Sequence, residues 1–243
     1  MNDRPPPVVE VYDDAGALAA SIATRLLERL EDVQATGRIP QIALTGGTIA
    51  DEAHRELARL ARDSSVDWSR VEIWWGDERY VAADSADRNE LQARSAMLDA
   101  LPLDPARVHP MPSSEHGDLA AAAASYANDL RTHGSGDFDV VMLGVGPDGH
   151  VASLFPGIPQ LDVDDTIAVG VSGSPKPPPE RITLTFAALN RAAAVWFLVS
   201  GESKAEAFAL AIAGADKHDI PATGVTGMSE TLWMIDEAAA GRA

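Results

Sequence analysis

The 243-residue sequence contains no cysteine, which removes three chemistries at once: a disulfide scaffold, a thiolate metal site and a cysteine nucleophile. Cations are scarce as well. Nineteen Lys and Arg face 37 Asp and Glu, a formal net charge of −18, and this argues against nucleic acid or an anionic membrane as a partner. No apolar run approaches the roughly 20 residues that span a bilayer. The amino-terminal MNDRPPPVVEVY also lacks the basic and apolar regions of a secretory leader. The expectation is a cytoplasmic protein that meets neither membrane nor nucleic acid. An anionic small molecule would need a local basic pocket in this acidic chain, so the few basic residues become informative.

Several catalytic signatures are missing too. There is no GxSxG elbow, no HExxH and no group of residues at metal-ligand spacing, so neither a metal nor another cofactor is expected. The letters of G-x-G-x-x-G do occur at Gly144, Gly146 and Gly149 after an apolar run. A dinucleotide fingerprint should open a long helix, however, and here Pro156 and Gly157 interrupt within about two turns. No clear acid follows about 20 residues on, so a nicotinamide reading fails on context.

What is present centres on residues 140–157, VVMLGVGPDGHVASLFPG. A run fit for a buried strand delivers a glycine loop whose backbone can approach a ligand, and Asp148 and His150 stand where that loop opens. Imidazole is able to take a proton from water, and a carboxylate two residues away can fix its tautomer. This favours direct attack by an activated water. The other histidines read differently: His54, His116 and His133 sit in or beside polar helix positions, and His109 and His218 stand alone near loops.

Around this loop the chain alternates strands and helices. Strands are expected over residues 8–12, 41–44, 71–75, 107–111 (weak), 138–143, 166–171, 181–185, 194–199 and 232–235. Helices are expected after Asp13 or Asp14, with Leu18, Ile22, Leu26, Leu30 and Val33 on one face, and after Thr48, with Ile49, Ala53, Leu57 and Leu60. Further helices follow a capping-box pair at Asp87 and Glu90, span residues 116–131 and 186–191, open at residues 200–204, and close the chain in an alanine-rich segment. With 46% hydrophobic residues and no linker, residues 1–243 are read as one α/β domain with a mostly parallel sheet covered on both faces.

Three junctions add anion chemistry. Residues 45–48, TGGT, place Gly46, Gly47 and the Thr48 hydroxyl at a helix start, a good seat for phosphate and equally an ordinary tight turn. Asp77 and Arg79 fall just past the end of a strand, where ligands of open α/β sheets sit, though a solvated ion pair reads the same way. Residues 174–181, SPKPPPER, form a stiff proline arm bearing Lys176 and Arg181, and Lys204 lies in the first turn of a helix, against the dipole.

At this point the residues resemble a known family, the 6-phosphogluconolactonases. GVGPDGHVASLFP and SPKPPPERITLT carry the likeness, GDERYV and SGESKAEAF support it, and it runs from the TGGT turn to LWMIDEAAA. It implies a three-layer α/β/α, Rossmann-like fold shared with the glucosamine-6-phosphate deaminases. It further implies hydrolysis of 6-phospho-D-glucono-1,5-lactone to 6-phospho-D-gluconate, in the oxidative pentose phosphate pathway, without a cofactor. In those terms His150 is the general base, Asp148, Asp77 and Arg79 line its site, and Gly46, Gly47, Thr48, Lys176, Arg181 and Lys204 contact phosphate and developing charge. The expected partner is a small sugar-phosphate lactone, with the protein a monomer or a homodimer. One alternative is a deaminase or isomerase on the same fold, which the resemblance disfavours because Phe155 stands where those enzymes carry an acid. Another is a sugar-phosphate-binding protein without catalysis.

Overall fold

A computed structural model describes residues 4–241; residues 1–3 and 242–243 of the expected 1–243 unit lie outside the described residues. Among the described residues the strands are β1 (Val8–Tyr12), β2 (Gln41–Leu44), β3 (Glu72–Trp75), β4 (Asp77–Arg79), β5 (Val140–Gly144), β6 (Ala168–Val171), β7 (Arg181–Leu184), β8 (Ala194–Val199) and β9 (Glu230–Asp236). The helices are α1 (Ala15–Ala35), α2 (Thr48–Leu60), α3 (Asn89–Ala96), α4 (Leu119–His133), α5 (Phe186–Leu189) and α6 (Ala205–Ile212). None is long and apolar enough to cross a membrane.

Six strands form one wholly parallel sheet in the order β3-β2-β5-β8-β9-β1. Strands flanked on both faces bury every side chain, which is why β8 reads as an unbroken apolar run and β2 is apolar after Gln41. Each large aliphatic residue buried there stabilises the fold by roughly 1.5–3 kcal/mol. The chain runs outward from β2 to β3, then returns to β5 on the other side of β2. That reversal opens a crevice beyond the carboxyl ends of β2 and β5, the usual ligand position in open α/β sheets. The Thr45 hydroxyl accepts from Gly144 N–H at 3.3 Å and ties the two strand ends together there.

Helix α1 forms as its sequence dictates. Asp14 accepts from Ala17 N–H, a cap whose loss costs about 1 kcal/mol, and the leucine face packs inward against α2, β1 and β9. Helix α4 is fastened to the sheet edge by Tyr126, whose hydroxyl accepts from Trp75 N–H at 2.9 Å and donates to Trp75 C=O at 3.0 Å. Burial raises the Tyr126 phenol above its usual range, so it stays protonated and able to donate.

The structure departs from the sequence reading in several places. Residues 77–79, expected as a charged loop, form β4, and β4, β7 and β6 make a separate three-stranded antiparallel sheet. Residues 107–111 make a single bridge, Val108 to Ile73, in place of a strand. Arg88, without a side-chain cap bond, precedes α3, and the expected Asp87–Glu90 capping box does not form. The Glu78 carboxylate instead accepts from Asn89 and Glu90 N–H at 2.7 and 2.9 Å, satisfying that helix start from a neighbouring strand. The alanine-rich segment after β9 is turn through Gly241. His54 is buried in α2, where burial lowers its imidazole to about 4, and His109 is buried beside β3.

Candidate active site

The loop after β5 folds back on itself. Val145 bridges antiparallel to Val151, Gly146 N–H donates to His150 C=O at 2.9 Å, and Gly149, at φ 76°, turns the chain where a side chain would also strike Ile220. This reversal brings Asp148 and His150 together. The Asp148 Oδ1 lies 2.5 Å from His150 Nδ1, and the ring leans on buried Phe155 at a centroid distance of 4.6 Å. An ionised carboxylate only accepts, so Nδ1–H is the donor of this bond, and in the neutral ring that leaves Nε2 as the acceptor. Burial opposes ionisation of Asp148, yet the His150 hydrogen bond, the His150 charge and Lys176 outweigh it and hold the carboxyl below the usual range. Lys176 Nζ is 3.6 Å from that same carboxylate oxygen.

The strand β4 supplies a second wall. Alternation along it sends Asp77 and Arg79 toward the crevice and Glu78 toward α3. The antiparallel ladder sets Arg79 opposite Arg181, more than 100 residues away in sequence. Asp77 is held by Ser153, whose hydroxyl donates at 2.6 Å, and by Asn89, whose amide donates to the Asp77 C=O at 2.9 Å. Arg79 donates to the Asn89 side-chain oxygen, and a Cβ at Gly46 would overlap that same oxygen. Arg181 clamps the proline arm, donating to the carbonyls of Lys176, Pro177 and Pro178 at 3.1–3.2 Å. Its planar fork therefore sets the path of the segment that carries Lys176.

A cleft of about 580 Å³ results, and every expected residue except Asp148 lines it: Gly46, Gly47, Thr48, Asp77, Arg79, His150, Lys176, Arg181 and Lys204. Asp148 reaches it through His150. Gly47, at φ 105°, precedes α2 without a side-chain cap, so the first amides of that helix are available to an anion. Lys204 closes a 3₁₀ turn, Glu202–Lys204, just ahead of α6. Burial pulls the Lys204 ammonium down, the Lys176 charge lowers it further, and Asp148 partly opposes both. Two ammonium groups that repel one another in a pocket are relieved by a shared anion. Ala152, another lining residue, holds φ at 48°, a left-handed conformation that costs a side-chain-bearing residue about 1–2 kcal/mol.

Residues 13–233 match the family described as glucosamine-6-phosphate isomerases/6-phosphogluconolactonase. The chain belongs to this family. Within it, a 6-phosphogluconolactonase from Streptomyces coelicolor is 44% identical, the match covering 99% of this chain and 95% of that protein. One from Homo sapiens is 34% identical over 97% of this chain and 93% of its own. The crystal structure of a 6-phosphogluconolactonase from Thermotoga maritima superposes with a TM-score of 0.85 at 25% identity, covering 95% of this chain and all of that one. A monomeric glucosamine-6-phosphate deaminase at 20% identity and TM-score 0.83 shares the fold. The α/β, mostly parallel architecture expected from sequence is thus the fold of the glucosamine-6-phosphate isomerase/6-phosphogluconolactonase family.

Sequence reasoning passed over Asn89 and Ser153. Both are buried and both hold Asp77, one from α3 and one from the turn after His150. Ser153 lies within the GVGPDGHVASLFP stretch, but nothing local links it or Asn89 to Asp77; only the fold brings them to β4.

Proposed function

We propose that the protein hydrolyses 6-phospho-D-glucono-1,5-lactone to 6-phospho-D-gluconate, the second step of the oxidative pentose phosphate pathway, with His150 as general base. The observation that carries this reading is the Asp148–His150 pair, in a pocket that gathers Arg79, Lys176, Arg181 and Lys204 from a chain poor in cations.

In this reading Nε2 takes a proton from water as the water oxygen bonds to the lactone carbonyl carbon. Charge moves onto the carbonyl oxygen, where cations and backbone amides stabilise it. The carbonyl re-forms, the bond to the ring oxygen breaks, and that oxygen leaves with the proton held on Nε2. The Asp148 carboxylate keeps the ring in the one tautomer that can accept, and stabilises the imidazolium between the two transfers. The α2 amides at Gly47 and Thr48 and the paired lysines receive the phosphate, whose binding energy positions a distant carbon for attack. The same proposal takes residues 1–243 as one working unit in the cytoplasm.

Phe155 weighs against a deaminase. It packs on the His150 ring at the position where the resemblance places an acid in those enzymes, so a carboxylate for proton shuttling between carbons is missing.

Freshly generated 6-phosphogluconolactone, followed against a protein-free blank, tests the reading. Opening well above the blank, with no ammonia released from glucosamine 6-phosphate, is the expected result. Tight sugar-phosphate binding with no acceleration would replace the hydrolase with a binding protein.

A further inference from the structure

We propose that His109, Asp129 and His133 form a binding site for a divalent transition-metal ion of the zinc type, separate from the catalytic cleft. The cluster lies beside the amino-terminal half of β3, whereas the cleft opens beyond the carboxyl ends of the strands. Asp129 and His133 are one turn apart on α4 and face the same way; His109 comes from the segment bridged to β3. One donor atom from each residue falls within 4.8 Å of the other two. Three ligands about 2.0 Å from one zinc ion lie roughly 3.3 Å apart, so modest side-chain rotations close the site.

The surroundings of His109 are those of an oriented ligand. Its ring lies flat on Trp74 at 3.8 Å and 6°, and only 7% of its side chain is exposed. Nε2 sits 2.8 Å from the Glu72 carboxylate, which is itself paired with Arg107. A carboxylate accepts, so Nε2 donates to Glu72, while Nδ1 faces Asp129 Oδ2 at 3.2 Å. A carboxylate on the far nitrogen is the arrangement that fixes and strengthens metal-ligating histidines. His133, with Nδ1 2.6 Å from Asp129 Oδ1 and 56% of its side chain exposed, closes the site on the solvent side and leaves an approach for an ion.

Two imidazoles and a carboxylate suit zinc and its neighbours over calcium or magnesium, and with no cysteine in the chain no thiolate competes. The sequence reading expected no metal because no group stands at metal-ligand spacing in the chain; His109 joins Asp129 and His133 only through the fold. An ion here would bind the segment around His109 to α4, and α4 already holds Trp75 through Tyr126. Its effect is on stability.

The test is calorimetric titration of the chelator-treated full chain with Zn²⁺, beside thermal unfolding. One ion per chain is expected, with the unfolding temperature raised by a few degrees at saturation. His133→Ala, an exposed change that leaves the fold intact, and Asp129→Asn should each weaken binding at least about tenfold. His150→Ala should leave it unchanged. Absence of Zn²⁺ binding would overturn the proposal. Binding that survives His133→Ala, or that disappears with His150→Ala, would place the ion elsewhere and overturn it equally.

Discussion

His150 occupies the space that a side chain on Gly146 would take. A Cβ built at Gly146 overlaps Nδ1 and Cε1 of the imidazole and Oδ1 of Asp148, so the glycine is required by the pair packed over it. Its backbone also donates to the His150 C=O, closing the turn that carries both residues. Gly146→Ala should therefore displace the pair while the parallel sheet persists. Turnover is expected to fall by roughly 10²–10⁴, the usual worth of a positioned general base, with the far-UV circular dichroism unchanged.

Asp148→Asn keeps the shape of the side chain and removes its charge. The amide can rotate to donate to Nδ1, which moves the proton to Nε2 and leaves the wrong tautomer facing the substrate. The maximal rate should drop by about 10²–10⁴ while KM changes little. A rate within a few-fold of the parent would show that the carboxylate does not fix the ring.

The proposed function places Lys204 at the phosphate. Loss of one charge-assisted contact, about 1.5–3 kcal/mol, corresponds to a rise in KM of roughly 10- to 100-fold for Lys204→Ala. Steady-state kinetics on phosphorylated and unphosphorylated lactone separate the roles. The variant should lose most of its preference for phosphate, whereas a fall in the maximal rate alone would move the cation to the carbonyl oxygen.

His54 makes the fold sensitive to acid. Burial lowers its imidazole from 6.5 to about 4, so the folded state resists a proton that the unfolded chain accepts. The resulting stability is fully present above pH 6.5 and is lost as pH falls from 6.5 toward 4, on the order of 3 kcal/mol in all. Urea unfolding of the parent and of His54→Leu at pH 7 and pH 4.5 checks this. The parent should lose more stability than the variant over that interval, and parallel losses would contradict it.

Much of this was legible in the chain because the central parallel strands are short and buried. β5 and β8 announce themselves as apolar runs, β2 does so after Gln41, and each ends within two residues of a glycine that enters or flanks the cleft. The Asp148–His150 pair was visible because its members are two residues apart. The charged Asp77–Arg79 segment did not look like a strand, since its ladder partner, Arg181–Leu184, is remote and no apolar alternation marks it. The cap of α3 was misplaced for a similar reason: the carboxylate that satisfies Asn89 and Glu90 belongs to Glu78, on another element. His54 did carry a local clue, lying three residues before Leu57 and next to Ala53 on the buried face of α2. His109 carried none, because its partners Glu72, Asp129 and His133 meet it only in the folded chain.

The most direct test of the central claim is the rate of opening of freshly generated 6-phosphogluconolactone by the parent protein and by His150→Ala, each corrected for spontaneous hydrolysis. The account predicts strong acceleration by the parent and a loss of at least about a hundredfold in the variant, with phosphate-dependent binding retained. Equal acceleration by both proteins would contradict it and remove His150 from the reaction.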